Sequence, residues 1–251
     1  MPRAIRYGLV LTVTAVLWLA APAGAGLAAV VTSAATIPVA GIEPSQGQVV
    51  GVAMPVTVRF AKPITNRAAA EKLIQVSTPT NTTGRFNWLN DNAVQWLPNG
   101  FWPAHSEIEV KANGYTTRFE TGSTVLGVAS ISQHTFTVSI DDQVARVMPA
   151  SMGKPSRPTP VGNFTALEKQ RTVTFDSRTI GIPLSSPEGY LITGRWAVRV
   201  TWGGVYVHSA PWSVASQGNS NVSHGCINLS PENAEWYFNT VSVGDPIIVQ
   251  S

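Results

Sequence analysis

The residues best suited to chemistry in this 251-residue chain are His208 and the short stretch Ser223-His224-Gly225-Cys226-Ile227-Asn228. Fourteen residues lie between His208 and Ser223, and Cys226 is the only cysteine. A cysteine reacts as its thiolate, and a neighbouring imidazole lowers the thiol pKa and later returns a proton to a leaving group. This spacing favours a cysteine acyltransferase with Cys226 as nucleophile and His208 as general base and acid. The alternative is that Cys226 is a small, buried, inert hydrophobe.

The glycine before the cysteine suits the same chemistry. Gly225 has no side chain, so a substrate can approach the backbone there. The amide N–H groups of Gly225 and Cys226 could both point at a developing oxyanion. The sequence therefore predicts an oxyanion site next to the nucleophile.

These residues resemble the signature of the L,D-transpeptidase catalytic domain, and the form with Asn228 resembles the mycobacterial peptidoglycan enzymes in particular. The upstream segment Thr159-Pro160-Val161-Gly162-Asn163-Phe164 is similar to the Thr-Pro-x-Gly-x-Phe segment of the same family. Together the two matches lie across about residues 125–251. The resemblance implies attack of Cys226 on the carbonyl before the terminal D-Ala of a tetrapeptide stem, loss of D-Ala, and a thioester. An amine of a neighbouring stem would then give a 3→3 cross-link.

The resemblance also implies roles for further residues. No acidic residue lies beside His208, and the backbone carbonyl of Ser209 is expected to orient its imidazole. His224 is grouped with the catalytic residues, the alternative being that it braces the loop. Tyr190 is expected in a lid over the substrate. The residues expected to contact substrate are Tyr190, Gly203, Gly204, Trp212, Ser223, Gly225 and Asn228.

Two positions depart from the family pattern. Phe175 stands where a flexible lid methionine is expected, and Gly203 stands where relatives often carry serine. These departures concern the lid contacts and the substrate preference and leave the core chemistry unaffected.

The N-terminus, residues 1–34, has the order of a secretory signal peptide. Arg3 and Arg6 precede an apolar run over residues 7–21, and small residues follow at 23–25. An uncleaved membrane anchor is the alternative, because apolar and small residues continue to Val31. Either interpretation predicts export to the cell envelope or periplasm. An unpaired thiol in an exported chain is easier to understand if it does chemistry.

The rest of the chain is predicted to be mainly β, in two modules. Short alternating runs over residues 37–122 favour an immunoglobulin-like β-sandwich. Trp88, Trp96 and Trp102 are expected in its core, the alternative being a sugar-stacking surface. Small polar residues at 120–124 are typical of a linker. Residues 125–251 are predicted to be a β-rich catalytic domain with one clear helix, which begins at Ser230 and Pro231.

Other functions fit less well. The net charge is +3 with 12% charged residues and no basic run, so nucleic acid is not expected as a partner. His105 and His134 lack metal-ligand spacing, and no cofactor or metal is predicted. By the resemblance, the partners are peptidoglycan stem peptides, as donor tetrapeptide and acceptor stem, with carbapenem-type β-lactams as inhibitors. An L,D-carboxypeptidase that uses water, and a non-catalytic wall-binding module, remain open alternatives.

Overall fold

Strands rich in β-branched residues form most of the regular secondary structure in residues 37–251, the part of the chain that the computed structural model describes. The predicted signal peptide or anchor lies outside the described residues. Within residues 37–251, no helix is both long and apolar enough to cross a membrane. The strands of the first module, residues 37–122, are β1 (Val39–Glu43), β2 (Val49–Val50), β3 (Val56–Phe60), β4 (Ile74–Ser77), β5 (Gly84–Asn90), β6 (Ala93–Pro98), β7 (Glu107–Ala112) and β8 (Tyr115–Thr121).

The first module is a sandwich of two four-stranded sheets, in the orders β1-β3-β6-β5 and β2-β8-β7-β4. Alternate residues of the strands point into a shared core, as the period of two requires. The Trp96 and Trp102 rings stack at 5.1 Å in this core, and Trp88 stacks on Phe60 at 5.9 Å. The immunoglobulin-like fold and the packing of the three tryptophans are therefore confirmed. The short helix α1 (Arg67–Glu71) begins after Asn66, whose side chain caps it.

The second module, residues 125–251, has its own hydrophobic core and is also mainly β. It contains one longer helix, α2 (Pro231–Thr240), and 3₁₀ helices at Ser177–Ile180 and Pro211–Ser216. Its strands are β9 (Val125–Ser130), β10 (Thr135–Ile140), β11 (Gln143–Pro149), β12 (Gly162–Thr165), β13 (Glu168–Asp176), β14 (Leu191–Arg199), β15 (Tyr206–Ser209), β16 (Ile227–Leu229) and β17 (Pro246–Gln250).

Two sheets and α2 form this module. A five-stranded sheet has the order β11-β10-β9-β17-β12, and a four-stranded sheet has the order β13-β14-β15-β16. The helix starts as the sequence predicts, because the Ser230 side chain accepts a hydrogen bond from the Asn233 amide and Pro231 occupies the first helical position. Tyr237 on its buried face meets Phe136 edge-on at 4.8 Å.

Two strands next to the site extend beyond the apolar stretches at residues 171–175 and 196–202. β13 and β14 pair in register from Glu168↔Arg199 to Asp176↔Leu191. The ladder extends past the apolar stretches because polar cross-strand pairs also stabilise it; Arg199 Nε donates to Glu168 Oε2 at 2.9 Å. β14 ends before Trp202, which lies in the following turn.

A direct contact joins the two modules. The amides of Gly51 and Ala53 donate to the carbonyl oxygens of Val243 and Gly244, at 2.9 and 2.8 Å. Gly51 fits only because it has no side chain, since an added Cβ would lie 2.0 Å from the Asp245 nitrogen. The turn before β17 is thereby held by the first module.

Candidate active site

A pair of parallel strands positions the residues that the sequence singled out. β15 and β16 pair with His208 opposite Asn228 and Val207 opposite Ile227. Val207 and Ile227 are fully buried in the core. Successive side chains of a strand point to opposite faces, so His208 and Asn228 share the other face, and Cys226, two residues before Asn228, joins them. The hydrophobic alternation of the two strands therefore places the imidazole and the thiol at one cavity.

The cavity has a volume of about 1410 Å³. Ser209 and Gly225 do not line it; Ser209 is buried behind it, and Gly225 contributes only backbone to the turn before the cysteine. The other residues predicted for the site all line it, namely Tyr190, Gly203, Gly204, His208, Trp212, Ser223, His224, Cys226 and Asn228. Phe175 and Trp202 line it as well.

His208 is enclosed and held in one orientation. It is 3% exposed, its Nδ1 lies 2.9 Å from the Ser209 carbonyl oxygen, and its ring lies 4.5 Å from that of Phe175. Burial lowers the pKa of His208 to about 4, against the opposing effects of its hydrogen bond to the Ser209 carbonyl and of the nearby Asn228 side chain. The imidazole is therefore neutral at neutral pH. Since Nδ1–H donates to Ser209, Nε2 is free to accept a proton.

Cys226 lies partly exposed to the cavity with a neutral thiol. Its Sγ donates to the Gly204 carbonyl oxygen at 3.7 Å. Burial raises the pKa of the thiol to about 11, and the nearby Tyr206 amide opposes this only in part. The expectation that the imidazole lowers the thiol pKa is therefore wrong for this resting state. The cause is desolvation, which disfavours both charged partners.

The turn before the nucleophile is closed by Ser223. The Ser223 Oγ accepts from the Gly225 amide at 3.1 Å and donates to the Cys226 carbonyl at 2.7 Å. Gly225 has φ +121°, which only glycine adopts easily. The expectation that the Gly225 N–H faces an oxyanion is therefore wrong, because the Ser223 hydroxyl already occupies that donor. Of the two amides considered, the Cys226 N–H is left.

Thr159 is a residue of the site that sequence reasoning missed. It is 2% exposed, and its Oγ1 accepts from the Gly153 amide and donates to the Gly225 carbonyl, both at 2.9 Å. Thr159 begins the Thr-Pro-x-Gly-x-Phe segment, which was the available signal. Its contact with Gly225 spans 66 residues of sequence and no local pattern predicts it.

A polar cluster lies at one side of the cavity. The Lys154 Nζ lies 3.3 Å from His224 Nε2 and is ion-paired with Glu188. The Glu188 Oε2 in turn lies 3.8 Å from His224 Nε2. The rings of Tyr190 and His224 lie 5.1 Å apart. Burial, followed by the positive charge of Lys154, lowers the pKa of His224. The segment that carries Glu188 and Tyr190 is therefore tied to the loop that carries His224.

The remaining predicted residues lie at the other walls. Asn228 Nδ2 donates to Ser213 Oγ at 3.2 Å, which links β16 to the 3₁₀ helix that carries Trp212. Trp212 is 53% exposed, and its ring lies 6.0 Å from that of His208. Gly204 has φ +100° in the turn before β15. This turn presents the Gly204 carbonyl to the thiol.

The fold and this site define the class of protein. Residues 125–249 match the L,D-transpeptidase catalytic domain family, and residues 28–118 match the bacterial Ig domain family. The chain belongs to the L,D-transpeptidase family and is an enzyme of that class, with an immunoglobulin-like domain before the catalytic domain.

Individual relatives agree with this assignment. L,D-transpeptidase 1 of Mycobacterium tuberculosis is 58% identical over 250 residues, which is 99% of each chain. The solved structure of an L,D-transpeptidase from Mycobacterium smegmatis matches with a TM-score of 0.81 and 63% identity, over 86% of this chain and 99% of that one. A structure of LD transpeptidase LdtMt1 in complex with imipenem matches with a TM-score of 0.81 and 61% identity, over 85% and 99% of the two chains.

Proposed function

We propose that this chain is an exported cysteine L,D-transpeptidase that forms 3→3 cross-links between peptidoglycan stem peptides through a thioester on Cys226. The opposition of His208 and Asn228 in parallel strands supports this most directly, because it brings the imidazole to the cavity that Cys226 lines. Export rests on the order of basic, apolar and small residues in residues 1–34.

Acylation begins from a neutral thiol and a neutral imidazole. The Cys226 sulfur attacks the carbonyl carbon of the residue that precedes the terminal D-Ala in the donor tetrapeptide, while His208 Nε2 takes the thiol proton. The Cys226 N–H stabilises the oxyanion. The C–N bond then breaks, His208 returns the proton to the departing amine, and D-Ala leaves a thioester behind.

Transfer repeats these steps with a second substrate. A side-chain amine of the acceptor stem attacks the thioester carbonyl and gives its proton to His208. The C–S bond breaks, an amide forms between the two stems, and the sulfur regains a proton. Because water competes with the amine, the walls formed by Tyr190 and Trp212 have to limit its access.

Carbapenem-type β-lactams are proposed to acylate the same sulfur. The relative bound to imipenem shares 61% identity with this chain, and a structure of L,D-transpeptidase 3 from Mycobacterium tuberculosis in complex with a faropenem-derived adduct shares 52%. Opening of the strained ring by Cys226 needs the same proton acceptor and oxyanion donor as attack on the stem peptide.

Mass spectrometry of the protein without residues 1–34, incubated with a disaccharide-tetrapeptide, tests the proposal. The expected product is a dimer lighter than two substrates by one D-Ala, absent with Cys226→Ala. Tripeptide without dimer would identify an L,D-carboxypeptidase instead. Unchanged substrate, together with a Cys226 that no carbapenem acylates, would favour a non-catalytic wall-binding module.

A further inference from the structure

Of the two amides next to the nucleophile, those of Gly225 and Cys226, only the Cys226 N–H is left to donate to an oxyanion. It belongs to the peptide unit between Gly225 and Cys226. The Gly225 N–H donates to Ser223 Oγ. No group in the described part of the chain accepts a hydrogen bond from the Cys226 N–H, and the residue lines the cavity. The direction of this one N–H therefore decides how well the site stabilises the oxyanion.

One side chain fixes the plane of that peptide unit. The carbonyl of Gly225 and the N–H of Cys226 belong to the same planar trans peptide, so they point in opposite directions. Thr159 Oγ1 donates to the Gly225 carbonyl at 2.9 Å. A hydrogen bond that holds the carbonyl on one side of the plane also holds the N–H on the other.

The Thr159 hydroxyl is itself fixed. It accepts from the Gly153 amide at 2.9 Å, so its single proton is directed to Gly225. The side chain is almost fully buried, and Gly153 is packed closely, since an added Cβ there would lie 2.2 Å from the Arg157 carbonyl oxygen. The hydroxyl therefore cannot turn to another acceptor without breaking a buried hydrogen bond.

Gly225 is the position whose backbone most needs the restraint that this hydrogen bond from Thr159 provides. With φ +121° and no side chain, it can rotate its carbonyl more easily than any other residue of the turn. A rotation there would turn the Cys226 N–H away from the reacting carbonyl without moving the sulfur, whose position depends on β16. We propose that Thr159 is a positioning residue that aims the Cys226 N–H as the oxyanion donor. This inference rests on the proposed role of Cys226 as nucleophile.

Two reactions of the same thiol separate this role from a general structural one. Acylation by imipenem builds an oxyanion, whereas alkylation by iodoacetamide displaces iodide and builds none. We expect Thr159→Val to slow acylation about 10- to 100-fold, since loss of an oxyanion donor costs about 100- to 1000-fold and misdirection costs less. The alkylation rate at pH 9 should stay within about twofold, and Thr159→Ser should restore acylation to within about threefold.

Matched variants keep the result interpretable. Thr117→Val removes another buried threonine hydroxyl, one that donates to the Pro44 carbonyl in the first module, and should change neither rate. Should Thr159→Val not fold, Thr159→Ala leaves room for a water to serve both backbone groups, and the same ratio of rates is measured. Equal losses in both reactions, or no loss in either, would overturn the inference. A wild-type protein that imipenem does not acylate would instead overturn the proposed function.

Discussion

The imidazole of His208 is held by the carbonyl of the next residue in the chain, with 2.9 Å between His208 Nδ1 and the Ser209 oxygen. A backbone carbonyl takes the place that a carboxylate holds in other catalytic triads. It fixes the tautomer, because Nδ1 has to carry the proton, but it adds no negative charge. The imidazolium is therefore less stabilised, which agrees with the low pKa of His208.

Ser209→Ala tests whether only the backbone is used. The Ser209 Oγ makes no hydrogen bond within the described residues, so we expect the rate of acylation by imipenem to stay within about threefold of wild type. His208→Ala should slow the same reaction by about 100- to 10,000-fold, because it removes the general base. Stopped-flow kinetics give both rates. A large loss in Ser209→Ala with unchanged thermal stability would assign a role to the hydroxyl.

The thiol pKa of about 11 predicts the pH dependence of alkylation at Cys226. The thiolate fraction below the pKa rises about tenfold per pH unit, so the rate with iodoacetamide should rise with that slope from pH 6 to pH 10. Mass spectrometry at short times measures it, and the urea-unfolded protein, which should level off near pH 8.5–9, is the control. A rate in the folded protein that is constant above about pH 7 would show an ion-paired thiolate instead.

Glu188→Gln tests the tie between the Tyr190 segment and the His224 loop. It removes the ion pair with Lys154 and the acceptor near His224. We expect KM for the tetrapeptide donor to rise a few-fold, because the segment is held less closely over the cavity, while kcat changes less. The melting temperature should fall by less than about 3 °C, since exposed ion pairs contribute little.

Glu109→Gln is the matched control for this change. It breaks the ion pairs of Glu109 with Lys111 and Arg118 in the first module, away from the cavity, and should leave both kinetic constants unchanged. If Glu188→Gln lowers kcat and leaves KM unchanged, the contacts of Glu188 with Lys154 and His224 act in the chemical step, and the expected rise in KM is wrong.

The sequence predicted those parts of the site that depend on local patterns. The cap at Ser230 marks the start of a helix, and the motif of His208 and Cys226 marks residues that line one cavity; both are found. The contact of Thr159 with Gly225 and the neutral state of Cys226 depend on segments that meet only after folding. A resemblance can point to such residues, but hydrogen-bond direction and desolvation are properties of the packed structure.

Gly51→Ala tests the contact between the modules. Its Cβ would lie 2.0 Å from the Asp245 nitrogen, so backbone on one side has to move, and we expect a loss of about 1–3 kcal/mol in the free energy of unfolding. Gly41→Ala is the control, because no atom lies within 4 Å of an added Cβ there and φ is not positive. Urea unfolding measures both. Equal free energies of unfolding for the two variants would show that the contact between the modules accommodates the added methyl group without destabilising the protein.

Asp245 makes the same contact sensitive to pH. It is 1% exposed; Oδ2 accepts from the Ser242 amide at 2.7 Å, while Oδ1 has no hydrogen-bond partner among the described residues. Burial raises the pKa of Asp245 to about 6. Three groups oppose this rise in pKa only in part: the Ser242 amide, the Val52 amide and the positive charge of Lys169. The Val52 amide approaches without completing a hydrogen bond.

A carboxyl whose folded pKa is raised binds its proton more tightly in the folded state. Its contribution to stability is therefore fully present below about pH 4 and is lost as the pH rises through about 6. We expect the free energy of unfolding of wild type, relative to Asp245→Asn, to fall by about 2–3 kcal/mol between pH 4 and pH 8. Urea unfolding at intervals of one pH unit measures the difference. A constant difference would mean that the pKa of Asp245 is not shifted by folding, and a difference that grows with pH would mean that Asp245 is ionised and paired in the folded protein; either result would contradict the prediction.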